Sequence, residues 1–295
     1  MNDIIRKWIF LILLSLIWGS SFILIKKGLI GLTPLQLGSF RIIISSVIIF
    51  IFGFKSLKGL NKKHWKWLTI SGFLGSFFPS FLFAYAELEV DSAIASILNS
   101  LVPLNTLLLG YLFFKIKSNG FQVIGVIIGF IGALLLILEG YVMNTNNNYN
   151  YSILIILATL MYAANVNIIK RYLNDIRPLT ITVANFTSII IPSFAVLVCS
   201  GALNDSTISN SSFLPSLGFV IILSIFGTAL AKIMFNTLIQ ISTPVFASSV
   251  TYLMPLVALG WGILDSENFS INQGLASLLI LCGIYLSNKR NKKDR

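Results

Sequence analysis

A lysine set deep in an apolar run is the residue of this chain best placed to do chemistry. Lys232 falls about three residues from the centre of the run 217 to 240, roughly 4 to 5 Å at helical rise, too deep for an easy reach to either face of a bilayer. No Asp or Glu lies in the middle of any apolar run to balance it. An ammonium at that depth costs on the order of a few kcal/mol, so a wet cavity, carbonyl partners or an anionic ligand must offset the cost. Two readings stay open: Lys232 attracts the negative part of a substrate, or it is bonded to helix carbonyls or held neutral. Asn236 sits one turn further on the same side and would share a ligand with it.

The other polar residues inside apolar runs come in matched sets. Ser96, Asn99 and Pro103 recur as Ser248, Thr251 and Pro255, spacings that put each trio on one helix face, and Tyr252 stands opposite Ser100 in the alignment. Proline leaves a carbonyl without its usual donor, so this stripe is expected to face protein or water. It either touches substrate or glues helices together, since Ser, Thr and Asn do both. Trp18, Gly19, Ser20 and Ser21 align in the same way with Tyr162, Ala163, Ala164 and Asn165, and Ser80 holds the place of Lys232 in the other copy. Trp18 and Tyr162 put amphipathic rings at equivalent positions, where they line a cavity or simply pack. Arg41 lies two turns inside its run, within reach of the interface, and is read as structural. The candidate substrate-binding set is therefore Lys232, Asn236, Trp18, Ser21, Ser80, Asn99, Tyr162, Asn165, Thr251 and Tyr252. No catalytic residue, metal ligand set or cofactor motif is found: the sole histidine, His64, lies in a basic loop, and Cys199 and Cys282 sit singly in apolar runs.

These residues are positioned by a chain written twice. Ala247 to Ser270 aligns with Ala95 to Ser118 at a shift of 152 without a gap, and 9 of the 24 pairs are identical. Upstream, Ile25 to Gln36 matches Ile169 to Thr180 at a shift of 144. Related halves in a membrane chain point to a transporter with its site between them. A bilayer core asks for about 20 apolar residues per helix. Runs of that size fall at 8 to 27, 34 to 54, 66 to 87, 92 to 114, 118 to 138, 151 to 171, 178 to 200, 217 to 240, 244 to 264 and 271 to 288. The expected architecture is an all-α integral membrane protein of ten transmembrane helices, arranged as two five-helix repeats, 1–140 and 151–295, around the Asn-rich break 140–150. With the N-terminus cytoplasmic, 17 of the 21 Lys and Arg fall inside and only Lys26 and Lys27 outside, so both termini are expected in the cytoplasm of an inner-membrane protein. Five helices per half, an odd number, then make the repeats inverted.

Composition agrees. With 56% hydrophobic and 11% charged residues and a mean hydropathy of +0.88, the chain is too apolar for a soluble globular domain. A net charge of +11 suggests nucleic acid only if it gathers on one soluble face, and here it is dispersed between apolar runs. The first run follows Arg6 and Lys7 as a signal peptide would, yet it is long and has no small-residue cleavage site, so it is read as retained.

The same residues carry a resemblance to the drug/metabolite transporter superfamily, in particular its EamA-type members. WGSSFILIKK, from Trp18, is similar to the family's Trp-Gly-small-small opening; TPLQLGSFRIII resembles its Pro-then-Arg pattern, with Arg41 at the arginine; YLMPLVALGWGILDSE is similar to its Leu-x-Pro stretch closing on a glutamate, here Glu267. The resemblance spans nearly the whole chain. It implies an inverted five-plus-five fold, a central cavity, and export, facilitated diffusion or exchange of small metabolites such as amino acids. Two departures stand out: Lys115 occupies a place where the family often has glutamate, and the first run lacks the embedded glutamate of the four-helix multidrug relatives. With no Asp, Glu or His at depth, facilitated diffusion or exchange is favoured over proton coupling, unless Glu87, Glu89 or Asp91 serves as a gate group. The expected partners are a small-molecule metabolite and the lipid bilayer, with the chain acting as a monomer and no nucleic acid. A pore, a membrane-embedded enzyme and a scaffold are the rival readings.

Overall fold

In a computed structural model the chain is described at residues 3–90, 92–116, 118–141, 151–264 and 271–287, and among these every regular element is helical. Six helical segments are long and apolar enough to cross a membrane: Asp3–Gly28, Pro34–Leu57, Lys62–Ala86, Ser152–Tyr172, Pro178–Cys199 and Phe213–Ile241. Four shorter apolar stretches accompany them, Val102–Leu112, Gly120–Gly132, Pro244–Val257 and Gly274–Leu286. The chain is a multi-pass membrane protein, and its surface says so independently. Phe52, Ile191, Leu214 and Ile153 lie 68 to 77% exposed, while Ser39, Ser45, Ser71, Ser193, Ser224 and Asn167 are completely buried. Apolar outside and hydroxyl-rich inside is the reverse of a soluble fold and fits hydrocarbon as solvent.

The helices are α1 (Asp3–Gly28), α2 (Pro34–Gly53), α3 (Lys62–Gly72), α4 (Phe78–Ala86), α5 (Ser92–Asn99), α6 (Val102–Leu112), α7 (Gly120–Tyr141), α8 (Ser152–Tyr172), α9 (Pro178–Cys199), α10 (Asp205–Ile208), α11 (Phe213–Ile222), α12 (Ala231–Ile241), α13 (Pro244–Ser248), α14 (Val250–Leu264) and α15 (Ile271–Ser287). Local chemistry fixes several ends. Thr33 and Gln36 bond each other's backbone N–H groups in a capping box, and Pro34 opens α2. Gln36 Nε2 also donates to Ser200 O at 3.1 Å, tying the start of α2 to the end of α9. Lys170 Nζ donates to the carbonyls of Ile239, Gln240 and Ser242, closing the last turn of α12.

Two expected continuous spans are broken. The run 92 to 114 splits into α5 and α6 around Ser100 and Leu101, where Pro103 in the first turn of α6 restarts the helix. The run 244 to 264 splits at Ser249, where Ser248 and Ser249 bond back to Val245 O and Phe246 O at 3.0 and 2.7 Å in competition with the helix ladder. Pro255 frees the carbonyl of Thr251, which accepts from Ser100 Oγ at 3.3 Å across the two broken spans. The third and eighth spans each contain a π-helical segment instead, Phe73–Phe77 between α3 and α4 and Leu223–Leu230 between α11 and α12. At a shift of 152 the first segment falls within the second, and Gly75 matches Gly227.

Packing joins the early part of the chain to the late part. α1 runs along α14 and α6 along α8; α2 pairs with α9, and α7 with α15. The α7 to α15 seam is close: a Cβ on Gly283 would fall 2.4 Å from Gly129 N and 2.6 Å from Gly125 O. Small residues let these backbones approach, as membrane helices do when dispersion rather than water exclusion drives association.

Candidate functional site

A cavity lies where α1, α2, α4, α5, the start of α6, α8, α12 and the α13 to α14 region meet, with roughly 700 Å³ of empty space including its open mouth and the solvent there. Its wall is formed by Trp18, Ser21, Phe22, Ile25, Arg41, Phe83, Asn99, Val102, Tyr162, Val166, Lys232, Phe235, Ser248, Thr251 and Met254. Ten of these residues form five pairs related by the repeat shifts: Trp18 with Tyr162, Phe22 with Val166, Phe83 with Phe235, Asn99 with Thr251 and Val102 with Met254. The contacts repeat too. Trp18 packs edge-on to Phe235 at 4.9 Å between ring centres, and Tyr162 stacks against Phe83 at 6.0 Å.

The two π-helical segments hold this wall in place. Trp18 Nε1 donates to Gly227 O at 2.8 Å, and Lys232 Nζ donates to Gly75 O. Neither glycine has room for a side chain: a Cβ on Gly227 would meet Ser21 Oγ at 2.9 Å, and one on Gly75 would meet Asn165 Nδ2 at 2.6 Å. A π-turn leaves carbonyls out of register with the helix ladder, and such turns recur at functional sites. Here the exposed carbonyls receive side-chain donors from the cavity wall.

The cations break the symmetry. Lys232, whose repeat partner is Ser80, reaches Gly75 O and lies 5.5 Å from the centre of the Tyr162 ring. Lys232 bonds a helix carbonyl, as one of the two sequence readings has it, and it also forms part of the cavity wall. Arg41 differs from its expected reach towards the interface. It turns inward, its Nε donates to Thr228 Oγ1 at 2.8 Å, and it lines the cavity. The signal that could have found it is a hydroxyl at Thr228 within the opposing run; nothing in the periodicity of α2 does so.

Of the sequence candidates, the structure brings Lys232, Trp18, Ser21, Asn99, Tyr162 and Thr251 to one cavity. Four others lie behind or away from its wall. Asn236 Nδ2 donates to Thr182 Oγ1 at 2.9 Å; Asn165 Oδ1 accepts from Ser71 Oγ at 2.6 Å; Ser80 Oγ donates to Ser76 O at 2.6 Å; Tyr252, wholly buried, donates to Val126 O at 3.0 Å. Each of these four has a protein partner for its polar group, as polar side chains that bridge or brace membrane helices do. Phe83 and Phe235 were not singled out by sequence, because an aromatic residue in an apolar run carries no distinguishing pattern. Asn99 is part of the cavity wall; its Nδ2 donates to Met254 Sδ at 3.3 Å, and its Oδ1 is buried with no hydrogen-bond partner among the described residues.

The family model described as "EamA-like transporter family" matches residues 6–138 and again residues 150–289. The chain belongs to that family. An "Uncharacterized transporter" of Archaeoglobus fulgidus is 28% identical over 288 residues, which is 95% of this chain and 98% of that protein. The "Uncharacterized inner membrane transporter YedA" of Escherichia coli K12 is 26% identical, covering 92% of this chain and 87% of that one. A "Probable amino-acid metabolite efflux pump" of the same organism is 24% identical, covering 94% and 92%. A solved structure shares the fold at a TM-score of 0.71 and 15% identity, covering 95% of this EamA-family chain and 96% of its own. The chain is a membrane transporter of the EamA type. The family's closing glutamate, Glu267, lies outside the described residues.

Proposed function

We propose that this EamA-family chain carries small amphipathic metabolites bearing a carboxylate, amino acids or close relatives, by alternating access at the cavity between two inverted five-helix halves, 1–140 and 151–295. Both termini then lie in the cytoplasm of the inner membrane. The observation that carries the reading is a cavity wall of repeat-related aromatic and polar pairs to which only one half adds Lys232 and only the other adds Arg41. Aromatic pairs take the apolar body of a ligand, and the two cations take its carboxylate. Asn99, on the same wall, is the polar side chain proposed to turn its amide oxygen to an ammonium on the same ligand. The paired π-helical segments, the two broken spans and the pairing of α1 with α14 as of α6 with α8 support the two-copy architecture. The name of the Escherichia coli efflux pump, similar over most of its length, points towards amino-acid chemistry.

Counterflow exchange in proteoliposomes tests this with three probes that differ at the relevant groups. L-Phenylalanine is expected to exchange, phenylpyruvate to exchange more slowly for want of the ammonium, and L-phenylalaninamide to be excluded for want of the carboxylate. Flux is expected to saturate, at fewer than about 10³ molecules per second. Equal carriage of all three, or unsaturable current well above that rate, would replace the carrier by a pore.

A further inference from the structure

One turn beyond the cavity, two helices of its wall are tied end to end. Tyr162 and Val166 of α8 line the cavity, and Lys170 follows at the same spacing of four on that helix face. Phe235 of α12 lines it too, and Ile239 lies one turn further. Lys170 Nζ donates to the carbonyls of Ile239, Gln240 and Ser242 at 3.1, 3.0 and 2.8 Å, which uses every donor an ammonium has. Gln240 Nε2 returns the tie, donating to Ile176 O at 2.6 Å and Leu173 O at 3.5 Å just past the end of α8. A helix end leaves its last carbonyls without N–H partners and favours a cation nearby, so α12 offers the lysine three acceptors at once. The ends so joined are otherwise apolar: Leu173, Leu238 and Ile239 are completely buried.

The first copy holds matching pieces. Trp18, Phe22 and Lys26 of α1 match Tyr162, Val166 and Lys170 at a shift of 144, and Phe83, Glu87, Leu88 and Val90 match Phe235, Ile239, Gln240 and Ser242 at a shift of 152. Trp18, Phe22 and Phe83 line the cavity as their partners do, so Lys26 and the end of α4 each follow the wall by one turn. Lys26 is exposed where Lys170 is half-buried. Of the acids at the end of α4, Glu87 is buried, Glu89 is exposed and Asp91 lies outside the described residues.

Resting on the proposed alternating access, we infer that Lys170 is the latch of the cytoplasmic gate and that Lys26 is its counterpart at the outer one. In the proposed topology the α8 to α12 seam lies between the cavity and the cytoplasm. While Lys170 holds the end of α12, the two helices cannot part there, and the cavity is shut on that side. Opening to the cytoplasm breaks these bonds. In two copies related by inversion, the arrangement that one half gives up is the one the other half takes on, so Lys26 takes the carbonyls at the end of α4 as Lys170 lets go. Leu88 has no side-chain donor where Gln240 has one, so the outer tie forms without the second bond. Lys170 touches no substrate; it is a positioning residue that sets which side the cavity faces.

The test uses the chain with Ser21→Cys, Cys199→Ser and Cys282→Ser in membrane vesicles of both orientations. It reads the rate at which a membrane-impermeant thiol reagent labels position 21 from each side. Lys170→Met keeps the stem and removes the three donors; it is expected to raise the ratio of cytoplasmic to outer labelling about tenfold, because the bonds lost stabilise only one of the two states. Gln240→Leu, which copies Leu88 into the second half, is a milder change expected to raise the ratio about threefold, and it carries the test if Lys170→Met fails to reach the membrane. Lys26→Met is expected to lower the ratio. If Lys170 and Gln240 only capped helix ends, their variants would unfold at a lower temperature in detergent and keep the ratio of the unlatched parent. That result overturns the latch and leaves the carrier standing. A Lys26→Met form that does not lower the ratio overturns the exchange between the copies. Labelling of the parent from one side alone, unchanged by L-phenylalanine, overturns the alternating access on which the latch rests.

Discussion

Lys232→Ala is expected to slow exchange of L-phenylalanine in proteoliposomes about ten- to hundredfold. Lys232 Nζ reaches both the Gly75 carbonyl and the cavity, so a ligand carboxylate can take over one of its bonds while the Tyr162 ring continues to face the ammonium. A charge-assisted hydrogen bond contributes about 1.5 to 3 kcal/mol, and each 1.4 kcal/mol is about tenfold in affinity. Lys232→Arg keeps the charge but swaps a compact ammonium for a planar fork that Gly75 O and Tyr162 are not arranged to hold, so an intermediate loss is expected. If Lys232 served only to satisfy Gly75 O, the alanine form would unfold at a lower temperature and yet exchange L-phenylalanine at the wild-type rate per folded molecule. Measuring thermal unfolding beside exchange separates the two roles.

Gly283→Ala is expected to lower stability in detergent by about 3 kcal/mol, the upper part of the range for overpacked sites. The added methyl would fall 2.4 Å from a backbone nitrogen and 2.6 Å from a backbone carbonyl oxygen of α7, neither of which can rotate away as a side chain can. α7 and α15 must separate along their shared length, which loosens the seam between the ends of the two copies. The same substitution at Gly218, where a Cβ would meet nothing within 4 Å, is the control and is expected to leave stability unchanged or slightly raised. Equal unfolding temperatures for the two variants would show that the α7 to α15 contact is looser than described.

How much of this was written in the sequence varies with the physics involved. Apolar length is a one-dimensional signal, so the six long spans and the four shorter apolar stretches fall where hydropathy puts them, to within a few residues at most ends. The internal echo makes the matched pairs Trp18 with Tyr162 and Asn99 with Thr251 legible in the sequence itself. Lys232 stood out because a charge in hydrocarbon demands an explanation. Direction around a helix was less legible. Asn236 and Lys232 share a face at a spacing of four, yet Asn236 meets Thr182 of α9 while Lys232 lines the cavity, because a short amide and a long lysine stem on one helix face reach different neighbours. No composition rule marks where a helix widens to a π-turn or where serines interrupt it, so the broken spans at Ser100 and Ser249 and the π segments were invisible. The direction of Arg41 is illegible for a related reason: its stem is long enough to reach either the interface or the interior, and the hydroxyl of Thr228 on a distant element decides between them.

Alternating access requires that one cavity open in turn to the two sides of the membrane. Ser21 lines that cavity, and among the described residues its hydroxyl bonds back to Ile17 O at 2.8 Å within its own helix, so Ser21→Cys is a mild change. With Cys199 and Cys282, both exposed on the described surface, replaced by serine, a membrane-impermeant thiol reagent can be applied to right-side-out and inside-out vesicles in turn. The cysteine at position 21 is expected to react from both sides and to be protected on both by L-phenylalanine. Reaction from one side alone, unchanged by L-phenylalanine, would contradict alternating access at this site.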